Sequence, residues 1–403
     1  PRRETLKNTK KGAVQVTSLY RVTIHMEKDG YQEKLLEIRG EIDAIDEKLL
    51  PLFLQRMNCS ERVAEIKRGA GIPVYAPKRE QEILDRVAER AGAYGPSAKA
   101  LYSAMMAVSR ARQHQLLEGG EELRRLEKTA RRTLPAPSQV VCQGVEGAYS
   151  HKAANMLYPQ APIAFVPDFR QVFAAVEEEP ESLGVLPVEN SAAGSVTAVY
   201  DLILQYRFYI VGAVDVKVEH CLAAAGEGPV RRVVSHPQGL SQCGEYIKAH
   251  GLETLEYSNT AAAAQFVARD RPAGTAAICS EEAAEKYSLK ILERGIQNEK
   301  NNTTRFVVIS KEPLLPEDAT KISLCFSLPH TTGSLYNVLE RFAVCGLNLT
   351  KIESRPIPGS AFEYDFYLDF TGCLHHPQTL ALICALHDEL PRFSFLGNYS
   401  EHT

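Results

Sequence analysis

The chain has 403 residues, 44% of them hydrophobic and 24% charged, and 46 basic against 50 acidic side chains give a net charge of -4. That length corresponds to about two to three domains, and the near balance of charge excludes a chain-wide surface for polyanions, so no nucleic-acid partner is expected. No apolar run approaches the roughly 18 to 20 residues of a membrane span, and the nine cysteines are scattered without a C-x-x-C pair, so a reducing cytoplasmic setting without disulfides, metal or membrane partner is expected.

Residues 1–28 come first. Positions 1–25 are basic, with Glu4 the only acid, and no apolar stretch of signal-peptide length follows. A disordered arm or a start-site artefact is expected there, and a transit peptide has the same composition. Residues 29–118 read as all-helical. Leu35, Ile38, Ile42, Ile45, Leu49, Leu52, Val63 and Ile66 recur at helical spacing. Pro51 predicts a kink or a break in that long helix, and Gly69, Gly71 and Pro73 end it. Two more helices are predicted over 78–90 and 97–118. Residues 119–138, with a charged run and Leu134-Pro-Ala-Pro-Ser138, read as a linker. Residues 139–311 alternate short apolar strands with helices, which predicts an α/β sheet covered on both faces. A second linker covers 312–320. Residues 321–403 run strand, helix, strand, strand, helix, strand, the split βαβ or ferredoxin-like α+β order.

In the helical block four basic residues stand out: Arg39, Arg56, Lys67 and Arg79. For any single one, a solvated helix face is the ordinary reading. Arg56 and Lys67 are 11 residues apart, about three turns and roughly 16 Å along one face, so they can converge on a ligand. Arg39 lies 17 residues before Arg56, about 25 Å away and on another face. If it serves the same site, another protomer supplies it, and an intertwined helical dimer follows. Leu36-Glu-Ile-Arg39-Gly-Glu-Ile-Asp43-Ala-Ile-Asp46, with Arg56, Lys67, Arg79-Glu80, Ser109 and Gln113, resembles the all-helical chorismate mutase domain. That family rearranges chorismate to prephenate without a covalent step, so the site holds a dicarboxylate and stabilises negative charge on the ether oxygen. The resemblance implies that Arg39, Arg56, Arg79 and Ser109 bind substrate, with Arg39 and Arg56 gripping carboxylates and Ser109 touching one. It implies that Lys67 and Gln113 face the ether oxygen and Glu80 the ring hydroxyl. Ala76 stands where the family often has aspartate. A mutase-derived dimerisation domain is the competing reading.

In the α/β block, short motifs sit at predicted strand ends, where open sheets bind ligands: Gly144-Val-Glu-Gly147-Ala-Tyr-Ser150, Pro187-Val-Glu189-Asn190-Ser191 with Gly194-Ser195, Ser235-His236-Pro237-Gln238 through Gln242-Cys243, Ser258-Asn-Thr260, and Asn302-Thr-Thr304-Arg305-Phe306. Each alone is a turn or a cap, and Thr260 in particular reads as a helix cap. Together they resemble prephenate dehydratase, whose fold is two α/β lobes like those of periplasmic binding proteins with the site between them. The reaction removes carboxylate and hydroxide and leaves an aromatic ring, so the departing hydroxyl needs a hydrogen-bond donor. By resemblance Thr304 is that donor, assisted by a relay or by a neighbour such as Glu189. Asn190, Ser191, Gln238 and Thr260 orient substrate, and Arg305 balances a carboxylate. His236 is open between an acid and a structural role. Ala148 stands where the family usually has threonine or serine.

In the last block, Gly333-Ser334-Leu335-Tyr336 opens a helix and Glu353-Ser354-Arg355-Pro356 ends a strand. On this βαββαβ order they resemble the ACT regulatory domain, which implies that both motifs bind L-phenylalanine between paired domains, with allosteric feedback. Residues 33–403 as a whole resemble the bifunctional chorismate mutase/prephenate dehydratase family of phenylalanine biosynthesis. The resemblance implies chorismate, prephenate and L-phenylalanine as small-molecule partners, a homodimer or higher homo-oligomer, and no cofactor. An arogenate-preferring dehydratase and a non-catalytic aromatic-ligand sensor are the rival readings.

Overall fold

The computed structural model describes residues 5–117, 119–133, 136–357, 359–360 and 363–402, with side chains from Tyr31 onward. The chain divides into two units, one ending at Val74 and one beginning at Tyr75. The first is a single helix, α1 (Thr5–Ala70). It runs unbroken through Pro51, which corrects the expected break. The proline forfeits one backbone bond, and the leucine-rich, glutamine-, lysine- and glutamate-containing flanks are strong helix formers that carry the helix past it. The arm expected to be disordered is likewise helical from Thr5. Residues 5–28 contain no proline and one glycine, Gly12, so nothing local stops the helix. Leu35, Ile38, Ile42, Ile45, Leu49 and Leu52 are 45–60% exposed. The apolar stripe that would make this helix amphipathic is not buried by its own chain.

The second unit starts with α2 (Pro77–Ala91) and α3 (Gly95–Leu117), which pack on each other across the turn Gly92–Tyr94. Next comes α4 (Glu121–Thr129), inside the stretch expected to be a linker. Leu123 is 3% exposed and lies in one apolar core with Leu315, Ile322, Phe342 and Leu382. Glu127 and Arg132 both bond His375, and Leu315 donates its amide to Arg131. Both expected linkers, 119–138 and 312–320, therefore carry residues of the C-terminal core. Their charge and proline content masked a few well-placed leucines.

The α/β block has two lobes. The first contains β1 (Val140–Gln143), α5 (Tyr149–Leu157), β2 (Ile163–Val166), α6 (Phe169–Glu178), β3 (Leu183–Asn190), β4 (Gly194–Ser195), α7 (Thr197–Tyr206) and β5 (Tyr209–Lys217). The chain then crosses into β6 (Cys221–Ala224), β7 (Arg232–Ser235), α8 (Pro237–Gln242), α9 (Gly244–Ala249), β8 (Glu253–Glu256), α10 (Thr260–Asp270), β9 (Thr275–Cys279), α11 (Glu281–Lys286) and β10 (Lys290–Arg294). It returns through β11 (Thr303–Ser310), which lies between β5 and β3. The second lobe is a sheet in the order β10-β6-β9-β7-β8.

The C-terminal block is β12 (Lys321–Ser327), α12 (Ser334–Val344), β13 (Leu349–Pro356), β14 (Tyr364–Thr371), α13 (Pro377–Glu389), β15 (Phe393–Tyr399) and β16 (Glu401–His402). Its antiparallel sheet is ordered β13-β14-β12-β15, the arrangement of a split βαβ fold. One face packs on α12 and α13. The other packs on the first lobe: Cys325, Tyr367, Leu396 and Tyr399 share a core with Tyr200, Ile203 and Ile210. The approach is close, since a Cβ on Gly397 would stand 2.1 Å from the carbonyl oxygen of Ile210. The chain ends by pairing β16 with β5, in the first lobe's own sheet. No helix among the described residues is long and apolar enough to cross a membrane.

Candidate active sites

A cavity of about 520 Å³ opens between the two lobes. Asn190, at the end of β3, and Thr304, at the start of β11, both line it. The strands pair antiparallel with these two residues opposite each other. Asn190 Nδ2 donates to Thr304 Oγ1 at 2.8 Å and to Asn302 Oδ1 at 2.8 Å, and its Oδ1 accepts the amides of Ala192 and Ala193. Both ends of the Asn190 amide are thereby satisfied. A hydroxyl oxygen that already accepts from Asn190 keeps its own proton to donate, so Thr304 is held as a donor at the cavity wall.

From the second lobe, Gln238 and Thr260 also line the cavity. Thr260 is not the cap of α10. Asn259 is, accepting the amide of Ala262 at 2.7 Å. His236 caps α8, its Nδ1 accepting the amide of Gln238 at 3.2 Å. His220, Gln242 and Tyr149 belong to the wall as well, and the sequence reading passed over them as site residues. His220 Nε2 donates to Gln242 Oε1 at 2.9 Å, and Tyr149 donates to the carbonyl of Glu219 at 2.6 Å. Gln242 sat in a quoted motif, whereas His220 carries no local signal. Gly147 joins the lobes instead of cradling a ligand. Its carbonyl accepts from Ser280, and a Cβ there would meet Ala283 at 2.9 Å.

Among the described residues no charged side chain lines the cavity. Electropositive character comes instead from the first turns of α5, α7 and α10, which reach it at Tyr149, Thr197 and Thr260. Helix N-termini present unpaired amides to an anion.

Three expected site residues are placed elsewhere. Glu189 and Arg305 are sequence neighbours of Asn190 and Thr304 on strands, so their side chains point to the opposite face of the sheet. Arg305 pairs with Asp215 at 2.9 Å and with Glu401 at 3.3 Å. Glu189 lies 3.6 Å from Lys351 of β13. Neither lines the cavity, so neither is within reach of a substrate carboxylate or hydroxyl in it. Ser191 is exposed and accepts the amide of Thr303 at 2.9 Å. It ties the turn after β3 to β11. Asn302, 2% exposed, is the polar partner that the sequence reading left without a role.

The expected mutase residues fall in both units. On α1, Arg39 is exposed, Ser60 donates to the carbonyl of Arg56, and Lys67 donates to the carbonyl of Val74 at 2.5 Å. In the second unit, Arg79 is exposed and donates to Glu82 at 3.2 Å, while Glu80 is ion-paired with Arg110. Ser109 donates to the carbonyl of Met105 at 2.8 Å. Gln113 is 8% exposed, and its buried Oε1 has no hydrogen-bond partner among the described residues. Arg110 escaped the sequence reading. It also lies 3.9 Å from Glu389 of α13.

Of the residues expected to bind an effector, Gly333 caps α12 with φ 83°, and Ser334 and Leu335 line a groove of about 380 Å³ with Tyr364 and Phe366. The other motif does not enter this groove. On β13, Arg355 reaches Asp201 of the first lobe at 3.2 Å, and Glu353, on the same face of the strand, lies 3.6 Å from Lys351. Ser354, with Pro356 two positions on, takes the alternate, exposed positions of the strand.

The family model for chorismate mutase type II matches residues 38–114, and that for prephenate dehydratase matches residues 140–314. A bifunctional chorismate mutase/prephenate dehydratase of Aquifex aeolicus is 32% identical over 372 residues, 91% of this chain and 98% of that protein. The chain belongs to the bifunctional chorismate mutase/prephenate dehydratase family. A chloroplastic arogenate dehydratase 3 of Arabidopsis thaliana is 40% identical over 291 residues, 66% of this chain and 69% of that protein. The structure of a prephenate dehydratase of Arthrobacter aurescens in complex with L-Phe matches with a TM-score of 0.60 at 27% identity, over 65% of this chain and 89% of that one.

In a bifunctional mutase/dehydratase of this build, the histidines of the dehydratase cleft are not cations near neutrality. Burial lowers His220 below the ordinary 6.5, more than its bond with Gln242 raises it. Burial also lowers His236, against the opposing pull of Glu256. A lowered histidine is mostly neutral above 6.5, so dehydratase kcat/KM, which reports the free enzyme, is expected to show no histidine inflection between about pH 6.5 and 8. A kcat/KM–pH profile checks this. An inflection in that range that disappears in His236→Asn or His220→Asn overturns it.

Proposed function

We propose that the chain converts chorismate to prephenate and prephenate to phenylpyruvate, with L-phenylalanine as feedback inhibitor. The observation that carries the dehydratase step is the Asn190–Thr304 pair at the cavity wall. Thr304 donates to the departing ring hydroxyl. Asn190, itself anchored on Asn302, holds it, replacing the expected help from Glu189. The helix N-termini and the amides of Gln238 and Gln242 take the substrate's anionic groups. Aromatisation of the ring drives the loss of carbon dioxide, so no base is needed.

The mutase step draws on Arg39, Arg56, Lys67, Arg79, Glu80, Ser109 and Gln113. A homodimer that covers the exposed stripe of α1 supplies Arg39 from the partner copy. L-phenylalanine binds between paired C-terminal blocks, at the groove of Ser334 and Leu335 and the exposed Ser354 and Pro356 edge. The L-Phe complex of the Arthrobacter relative supports this reading. A second reading, arogenate as the preferred dehydratase substrate, is favoured by the 40% identity to the plant enzyme.

Incubating the full chain with chorismate is expected to yield phenylpyruvate, at a rate that added L-phenylalanine lowers. Chorismate that persists beside active prephenate turnover would sink the mutase half. Parallel kcat/KM values for prephenate and arogenate decide between the two substrates, and sedimentation equilibrium checks the dimer.

A further inference from the structure

Lys351 belongs to β13 of the C-terminal block, yet its ammonium sits among residues of the first lobe. Its side chain is 8% exposed. It donates to Ser195 Oγ at 3.0 Å and to Tyr200 Oη at 3.1 Å, and it stands 4.7 Å over the Tyr200 ring. The carboxylates of Glu189 and Glu353 each lie 3.6 Å away. A sequestered ammonium without anions is costly, so these partners together over-determine its position.

Glu189 and Ser195 are cross-strand partners in the β3–β4 hairpin. One cation from the C-terminal block therefore grips both strands of that hairpin. The hairpin also carries Asn190, which follows Glu189 and points the other way, into the cavity. Ser195 itself is part of the cavity wall.

We propose that Lys351 is a positioning residue for the dehydratase reaction: by tying Glu189 to Ser195 it sets the β3–β4 hairpin and, with it, the Asn190–Thr304 pair. It does not touch substrate. This rests on the dehydratase reading of the cleft. It also gives Glu189 a function on the face opposite the chemistry.

The test compares Lys351→Met, Lys351→Arg, Glu189→Gln and the Lys351→Met/Glu189→Gln double variant in the full chain, with prephenate or arogenate, whichever the wild type turns over. Lys351→Met keeps the length of the stem and removes the charge. Because small misplacements of reacting groups cost large rate factors, its kcat is expected to fall by about tenfold or more with KM changed less than about threefold. Lys351→Arg should restore most of the loss. Glu189→Gln should fall similarly, and the double variant no further than Lys351→Met. Chorismate consumption by the same preparations is expected to stay within about twofold, which reports a folded chain. Unchanged kcat in Lys351→Met overturns the proposal. So does a loss that tracks thermal midpoint and mutase rate alike and that arginine does not rescue. If the wild type turns over neither substrate, the dehydratase reading fails, and hydrogen exchange of the peptide spanning 188–195 judges Lys351 alone. Faster exchange in Lys351→Met supports the clamp, and identical exchange refutes it.

Discussion

Thr304→Ala is expected to lower dehydratase kcat by about 10²- to 10³-fold, the loss typical of removing one donor aimed at developing charge. KM should change less than about threefold, because in the proposed mechanism Thr304 acts on the bond being broken while the helix N-termini hold the carboxylates. Thr304→Ser keeps the hydroxyl and should retain most of the rate. Asn190→Ala should approach the same loss, since it releases Thr304 and leaves the amides of Ala192 and Ala193 without their acceptor. The double variant is then expected to be little worse than either single one, as for residues that act as a unit. Chorismate consumption, read on the same samples, should be unaffected. A Thr304→Ala enzyme within about fivefold of wild type would remove the hydroxyl from the mechanism.

Glu389 carries the other large effect. It closes α13, 5% of its side chain is exposed, and it is ion-paired with Arg341 of α12. His114 Nε2 lies 2.9 Å away and Arg110 Nε 3.9 Å away, both on α3. Arg110 in turn holds Glu80, so one buried carboxylate joins the α2–α3 pair to the C-terminal block. Glu389→Leu leaves two guanidinium groups with little water and no common anion. Breaking a buried pair in this way costs about 3–5 kcal/mol, which should appear as a lower thermal midpoint at pH 7.

The same carboxylate fixes a pH dependence. Burial works to raise Glu389, and it is outweighed by the His114 hydrogen bond and the charges of Arg341 and Arg110, so the net shift is below the ordinary 4.5. A carboxylate lowered on folding stabilises the protein above its unfolded value, and that contribution is lost as pH falls through the folded one. Acidification below 4.5 should therefore destabilise the wild type more steeply than Glu389→Gln, which starts lower at pH 7. Parallel pH profiles of the two proteins would rule out the assigned role.

Much of the architecture was legible from local pattern. The helix expected over 78–90 is Pro77–Ala91, and the six elements expected after residue 320 occur in the expected order. Asn190 and Thr304 at strand ends and Gln238 and Thr260 in the first turns of α8 and α10 converge on one cavity. Local signals misled where a distant surface decides. Leu123 reads as one apolar residue in a charged run until α13 covers it. Pro51 reads as a helix breaker where its neighbours hold the helix. Arg110, Lys351 and Glu389 carry no motif, because each matters through a partner 30 or more residues away.

By itself, then, the sequence determined the order of helical, α/β and βαββαβ elements along the chain, the residue types at their ends and the apolar stripe of α1, because periodicity and turn chemistry act over a few neighbouring residues. It could not decide which side of β3 and β11 lines the cavity. Strand alternation guarantees that Glu189 and Asn190 part company, as do Thr304 and Arg305, but not which member of each pair faces the cavity. That depends on what covers each face of the sheet. The second lobe closes over Asn190 and Thr304, and the C-terminal block takes Glu189 and Arg305. Only the tertiary structure brings those covering elements together.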